Sequence, residues 1–167
     1  MIQPAYPTTT LPQTNLLTSM RISIGSDHRG VHIKAKLISS LVANGHQIED
    51  VGTDCEASVD YPDFASHVCR QVADGNVERG ILICGTGIGM AIAANKFNGV
   101  RAANCYDEVM AEMCRRHNNV NVLCLPGDLI GDRPIDELVN LWLSTEFEAG
   151  RHLRRLEKIE QIERDNA

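Results

Sequence analysis

Five short apolar runs alternate with segments of helical period along this chain, and that alternation limits what it can fold into. The runs are "RISIGSD", "HQIEDVG", "GILIC", "VRAANC" and "VNVLCL". After the first run, residues 29–44 carry Val31, Ala35, Ile38 and Val42 near helical period, and Gly45 stops them. "VDYPDFASHVCRQVADG" reads as a loop and then a helix, with Pro62 suited to its first turn. "GIGMAIAANKF" is a helix that begins inside a glycine-rich loop, and "DEVMAEMCRRHN" is the helix before the fifth run. "RPIDELVNLWLSTEF" and the highly charged "RHLRRLEKIEQIERDN" supply two more. "GILIC" is apolar throughout, as a parallel strand covered on both faces must be. Strand–helix alternation predicts one five-stranded parallel sheet with helices on both faces, a three-layer α/β/α, Rossmann-like domain over 21–167.

Charge and composition narrow the function. A formal charge of -6 and a pI near 5.5 argue against a dedicated nucleic-acid binder. No apolar run approaches the ~18 residues of a membrane-spanning helix, so no membrane partner is expected. The opening "MIQPAYPTTTLPQTNLLTS" lacks a basic n-region and is broken by prolines. It reads as a flexible arm over 1–20 rather than a signal peptide, with Met20 an alternative start. Cys55, Cys69, Cys84, Cys105, Cys114 and Cys124 contain no C-x-x-C pair, and several lie in strand-like runs. Apart from Cys84 they read as buried free thiols of a cytoplasmic protein, and no Cys/His cluster has the spacing of a metal site.

The chemistry gathers at the strand ends. In such a sheet, ligands bind beyond the carboxyl ends of the strands where the strand order reverses. The first strand ends in Asp27-His28 and the third in Cys84-Gly85-Thr86-Gly87, so one pocket can hold a carboxylate, an imidazole, a thiol and a nest of amides. Asp27 serves equally as a helix cap. "GTGIGM" runs G-x-G-x-G rather than G-x-G-x-x-G, and no G-K-[ST] is present, which argues against a nucleotide. What remains is a set of amides at a helix start that can hold an oxyanion and favour the thiolate of Cys84. That pairing suits acyl transfer or proton abstraction beside a carbonyl. In "GRHLRR", Arg151 and Arg155 are four apart on one helix face, as a phosphate clamp or as a solvated charged face. His117 ends a helix at its negative pole, either poised to be protonated or simply capping.

Taken together, "GSDHRG", "VDYPDFA", "GILICGTGIGMAIAANKF", "RRHNNVNVL" and "FEAGRHLRR" resemble the type B ribose-5-phosphate isomerases, in the same order from about Arg21 to the last helix. The wider family includes galactose- and allose-phosphate isomerases. The resemblance implies that Cys84 is the base shuttling a proton between C1 and C2. Backbone amides of Gly85, Gly87, Ile88 and Gly89 would then hold the enediolate oxygens, and Thr86 would help move the hydroxyl proton. Asp27 matches a group near the sugar ring oxygen. His117 matches the ring-opening histidine, with Asn118 binding substrate beside it. His28, Arg151 and Arg155 match phosphate-side groups, and Tyr61 a pocket tyrosine. The resemblance also implies a homodimer or dimer of dimers with sites shared between subunits, a sugar-phosphate substrate, and no cofactor or metal.

One position departs from the pattern. Where the family commonly carries an arginine that approaches the phosphate, this chain has Asp128. A carboxylate there leaves the sugar open: ribose 5-phosphate, or a tetrose, allose or galactose phosphate. A silent sugar-phosphate-binding protein is the remaining alternative, opposed by the joint presence of Cys84, Thr86 and His117.

Overall fold

The computed structural model describes residues 18–129 and 134–166. Its strands are β1 (Arg21–Ser26), β2 (Gln47–Asp50), β3 (Arg79–Cys84), β4 (Ala102–Asn104) and β5 (Val122–Pro126). Between and after them run α1 (Val31–Ala43), α2 (Tyr61–Ala73), α3 (Ile88–Ala94), α4 (Glu108–Asn118), α5 (Ile135–Ser144), a 3₁₀ turn (Gly150–His152) and α6 (Leu153–Asp165). All strand pairs are parallel, in the order β2-β1-β3-β5-β4. The expected five-stranded α/β sheet is therefore present. β5 inserts between β3 and β4, leaving the short β4 at the edge.

Strand β3 shows why the sheet is covered on both sides. Successive side chains of a strand point to opposite faces. Ile81 and Ile83 enter a core with Leu37 and Leu41 of α1 and Leu138, Val139 and Trp142 of α5. Leu82 and Cys84 enter the other core, against Val68 of α2 and Met90 and Ala94 of α3. Burying an aliphatic side chain of this kind stabilises by roughly 1.5–3 kcal/mol, so a strand apolar at every position is anchored from both faces.

The chain is tied down before β1 begins. Ser19 Oγ donates to the Gly45 carbonyl (2.8 Å), and Met20 packs against the α1/α5 core while its carbonyl accepts from Gln47 N (2.9 Å). The rest of the expected arm, residues 1–17, lies outside the described residues. The thiol expectation needs one correction: Cys55 is exposed, because it follows β2 in a surface loop, and Cys114 is half-buried. Burial pushes the Cys69 thiol up to about 12 and that of Cys124 well above its ordinary range.

Candidate active site

Strand register brings the first group of candidate residues together. β1 pairs with β3, Ser26 opposite Ile83, and the next amide, Asp27 N, donates to the Ile83 carbonyl (3.1 Å). Asp27 and Cys84 therefore leave adjacent strands at the same carboxyl edge, where the order turns from β2 on one side to β5 on the other. Asp27 does not cap α1, whose N-cap is Gly30. Its Oδ1 accepts from Arg29 N (2.8 Å), and burial raises its carboxyl above the usual range against the opposing pull of that amide. His28 is half-buried, its Nδ1 accepting from Val59 N (3.3 Å), which leaves Nε2 as the N–H that can face a ligand.

The glycine turn follows Cys84 directly, and Cys84 itself is 5% exposed. Gly87 has φ +74° and starts α3, a conformation that side-chain-bearing residues avoid. The Thr86 carbonyl accepts from Asn104 Nδ2 (3.0 Å) and Tyr106 Oη (3.1 Å), and Thr86 Oγ1 accepts from Ile88 N (3.3 Å). These bonds turn the Thr86 carbonyl toward the protein. Tyr61, at the start of α2, lays its ring on Gly89, so close that a Cβ there would meet Tyr61 Cζ at 2.7 Å. In the turn after β5, Gly127 N donates to the Cys84 carbonyl (2.7 Å) and Asp128 N to the Gly85 carbonyl (3.0 Å).

The other candidate residues stand elsewhere. His117 and Asn118 end α4, and the next segment starts β5 beside Gly80, at the opposite edge of the sheet. Around them, Arg101 Nε donates to the Asn119 carbonyl (3.0 Å) and Glu148 N to the Arg116 carbonyl (3.0 Å). The His117 ring stacks on His152 with centroids 4.2 Å apart and planes within 8°. Arg151 and Arg155 do not share one α-helix as expected, since Arg151 lies in the 3₁₀ turn before α6. They still converge, because both meet His152: Arg151 Nε donates to its Nε2 (3.2 Å), and Arg155 Nη1 lies 3.5 Å from its Nδ1.

Sequence reasoning passed over His152. It is 4% exposed, and burial, with His117 and the two arginines adding to it, lowers its basicity against the opposing pull of Glu148. Its only signal was the spacing to Leu156, the other buried residue of that face. Glu148 Oε2 lies 3.8 Å from His117 Nε2 and 3.7 Å from His152 Nε2. The three side chains bring ligand atoms within 4.8 Å of one another, but Arg116 already binds the Glu148 carboxylate and Arg151 the His152 lone pair. Within the cluster His117 is flanked by the stacked His152 ring on one side and by the Glu148 carboxylate on the other.

β3 spans six residues at roughly 3.3 Å each, about 20 Å in all, and Cys84 and His117 lie toward opposite ends of that depth. Asp27, His28, Tyr61, Cys84 and the 85–89 turn gather as one cluster of candidate residues, while His117, Asn118, Arg151 and Arg155 gather as another.

A thiol beside an amide nest, with a histidine and paired arginines held separately, is the equipment of proton transfer on an anionic carbonyl substrate. Comparison with known proteins gives the family: the chain belongs to the Ribose/Galactose Isomerase family, whose pattern matches residues 22–159. It is 43% identical over 143 residues to ribose-5-phosphate isomerase B of Escherichia coli, covering 86% of this chain and 96% of that protein. The structure of Clostridium thermocellum ribose-5-phosphate isomerase B superposes with a TM-score of 0.87 at 44% identity, covering 89% of this chain and all of the other. The Mycoplasma genitalium enzyme of the same name, solved with bound ribulose 5-phosphate, gives 0.83 at 40% identity over 86% of this chain and 96% of its own.

Proposed function

We propose that the protein is an aldose–ketose isomerase that interconverts ribose 5-phosphate and ribulose 5-phosphate through an enediolate. The Cys84 thiolate removes the proton from C2, the negative charge passes to the carbonyl oxygen, and the thiol returns the proton to C1. Amides of the 85–89 turn hold the two oxygens, and Thr86 Oγ1 carries the hydroxyl proton between them. His117 opens the sugar ring from the side opposite Asp27. His28, Arg151 and Arg155 take the phosphate. General-base help of this kind is worth roughly 10²–10⁴-fold, and each well-placed oxyanion donor about 10²–10³-fold.

The observation that carries this reading is the separation of the two half-sites by the depth of the sheet. Neither half is useful alone: one has a base and an oxyanion nest, the other a ring-opening histidine and a phosphate clamp. A homodimer in which one subunit's carboxyl edge meets the other's α4–α6 edge assembles both. Exposed apolar side chains lie on the elements such a contact would use, with Ile88 and Ile92 on α3 (51% and 59% exposed) and Ile159 and Ile162 on α6 (40% and 59%). A cytoplasmic location fits the protein's six free cysteines, since thiols persist in a reducing compartment.

Mixing two inactive variants tests the reading. Cys84→Ser and His117→Ala should each be inactive on ribose 5-phosphate. After subunit exchange, each hybrid dimer has one intact site, so activity should recover to about a quarter of wild type at equal mixing. Proven hybrids without recovery would refute a shared site, and a wild-type protein without isomerase activity would refute the function.

A further inference from the structure

Both ends of Arg29 are fixed at the mouth of the Cys84 half-site. Its amide is held by Asp27 Oδ1 at 2.8 Å, and its carbonyl lies against Gly127, where a Cβ would meet it at 2.7 Å. From this locked root the side chain runs across Gly85, the residue after Cys84. A Cβ on Gly85 would find Asp128 Oδ2 at 2.8 Å and Arg29 Cγ at 3.9 Å. The Arg29–Asp128 pair therefore roofs the start of the glycine turn.

The geometry of that pair is directional. Arg29 Nε donates to Asp128 Oδ1 (2.9 Å) and Oδ2 (3.0 Å), and Nη2 reaches Oδ1 at 2.8 Å. Asp128 thus occupies the Nε/Nη2 edge of the guanidinium. Among the described residues nothing hydrogen-bonds to Nη1, so the terminal Nη1/Nη2 edge, the one suited to two parallel bonds with a phosphoryl group, stays open.

That edge borders a cleft of about 290 Å³ lined by His28, Arg29, His32, Glu56 and Asp128. Both carboxylates of the cleft are already engaged, Glu56 with His32 Nε2 (2.7 Å) and Asp128 with Arg29. The donors left to face a ligand are His28 Nε2 and the open guanidinium edge.

We propose that Arg29 is a phosphate-binding residue of the Cys84 subunit and that Asp128 is the residue that positions it. This rests on the isomerase reading of the site. An arginine side chain more than half exposed, as this one is at 55%, would otherwise lose rotamer freedom on gripping a phosphate. Asp128 removes part of that cost by ordering the guanidinium beforehand, and the pair's charges cancel, so its carboxylate does not repel the substrate as a bare one would. Asp128 thereby becomes compatible with a pentose phosphate.

Steady-state kinetics on ribose 5-phosphate, with calorimetric titration of inorganic phosphate, tests both residues. Arg29→Ala should raise KM and the dissociation constant of inorganic phosphate by tenfold or more, with kcat within about twofold, because the phosphate does not react. Arg29→Lys should recover part of the loss. Asp128→Asn should raise both constants several-fold, and adding it to Arg29→Ala should cost nothing more. Unchanged constants in Arg29→Ala, or a fall in kcat at constant KM, would overturn the proposal. A lower KM in Asp128→Asn would show a repelling rather than a positioning carboxylate and overturn that half. A wild-type protein that binds inorganic phosphate through Arg29 yet isomerises no aldose phosphate would sink the isomerase reading and spare the cation.

Discussion

Replacing Gly87 with alanine measures how tightly the glycine turn is built, and Gly75→Ala supplies the control. Both glycines are left-handed, at φ +74° and +72°. That conformation costs an alanine about 1–2 kcal/mol at either place. Gly75 ends there, since nothing among the described residues lies within 4 Å of its Cβ position. At Gly87 the new methyl would sit 2.3 Å from Asn104 Oδ1 and 3.0 Å from the Leu125 carbonyl carbon. Leu125 belongs to a central strand and cannot yield, so Asn104 must move. Moving it breaks its bonds to the Thr86 carbonyl (3.0 Å) and Tyr106 Oη (2.8 Å). At about 1 kcal/mol each, Gly87→Ala should cost about 2 kcal/mol more than Gly75→Ala. Urea unfolding at constant m-value reads the difference. Kinetics should separate the two further: kcat falls by about 10²-fold or more in Gly87→Ala, as for a lost oxyanion donor, and stays level in Gly75→Ala. Equal destabilisation in the two variants would refute the packing argument, and an intact kcat in Gly87→Ala would remove the turn from the chemistry.

Cys84→Ser should lower kcat by about 10²–10⁴-fold while KM moves little, because a buried hydroxyl does not supply a base near neutral pH; a variant retaining most of its kcat would place the base elsewhere. Stability should also fall with acidity through His46, which is 4% exposed and whose Nδ1 accepts from Met20 N (3.3 Å), so burial lowers its pKa below 6.5. The unfolded chain then takes up a proton that the folded one refuses, so this contribution is complete above about pH 6.5 and is lost as pH falls through the folded value. Unfolding midpoints compared at pH 7.5 and 5.5 should show a smaller drop in His46→Gln than in wild type, and equal drops would assign the acid sensitivity to other groups.

The sheet was readable because its central strands are buried on both faces, which leaves runs such as "GILIC" without polar interruption. The insertion of β5 between β3 and β4 was not, because alternation sets the hand of each crossover but not how many strand positions it spans. The Arg29–Asp128 pair joins residues 99 apart, and no local spacing relates two loops that meet only once the sheet has formed. "RHLRR" misled for another reason. Three arginines around one histidine look like a solvated face, yet the short 3₁₀ turn rotates His152 inward so that its ring covers His117 and its nitrogens meet the flanking guanidiniums.

The proposed division of the site between two subunits is a different matter, because it is argued from topology alone. In a parallel sheet every strand ends at one edge and every connecting helix returns to the other. Cys84 ends a strand and His117 lies in the last turn of a helix, so no arrangement of the five strands within one sheet can place them together. Twist and loop length cannot close a gap set by six residues of extended chain. A reaction that needs both residues must draw the second from another copy, and a chain in which His117 acts on its own Cys84 would have to abandon the parallel order that its apolar strands require.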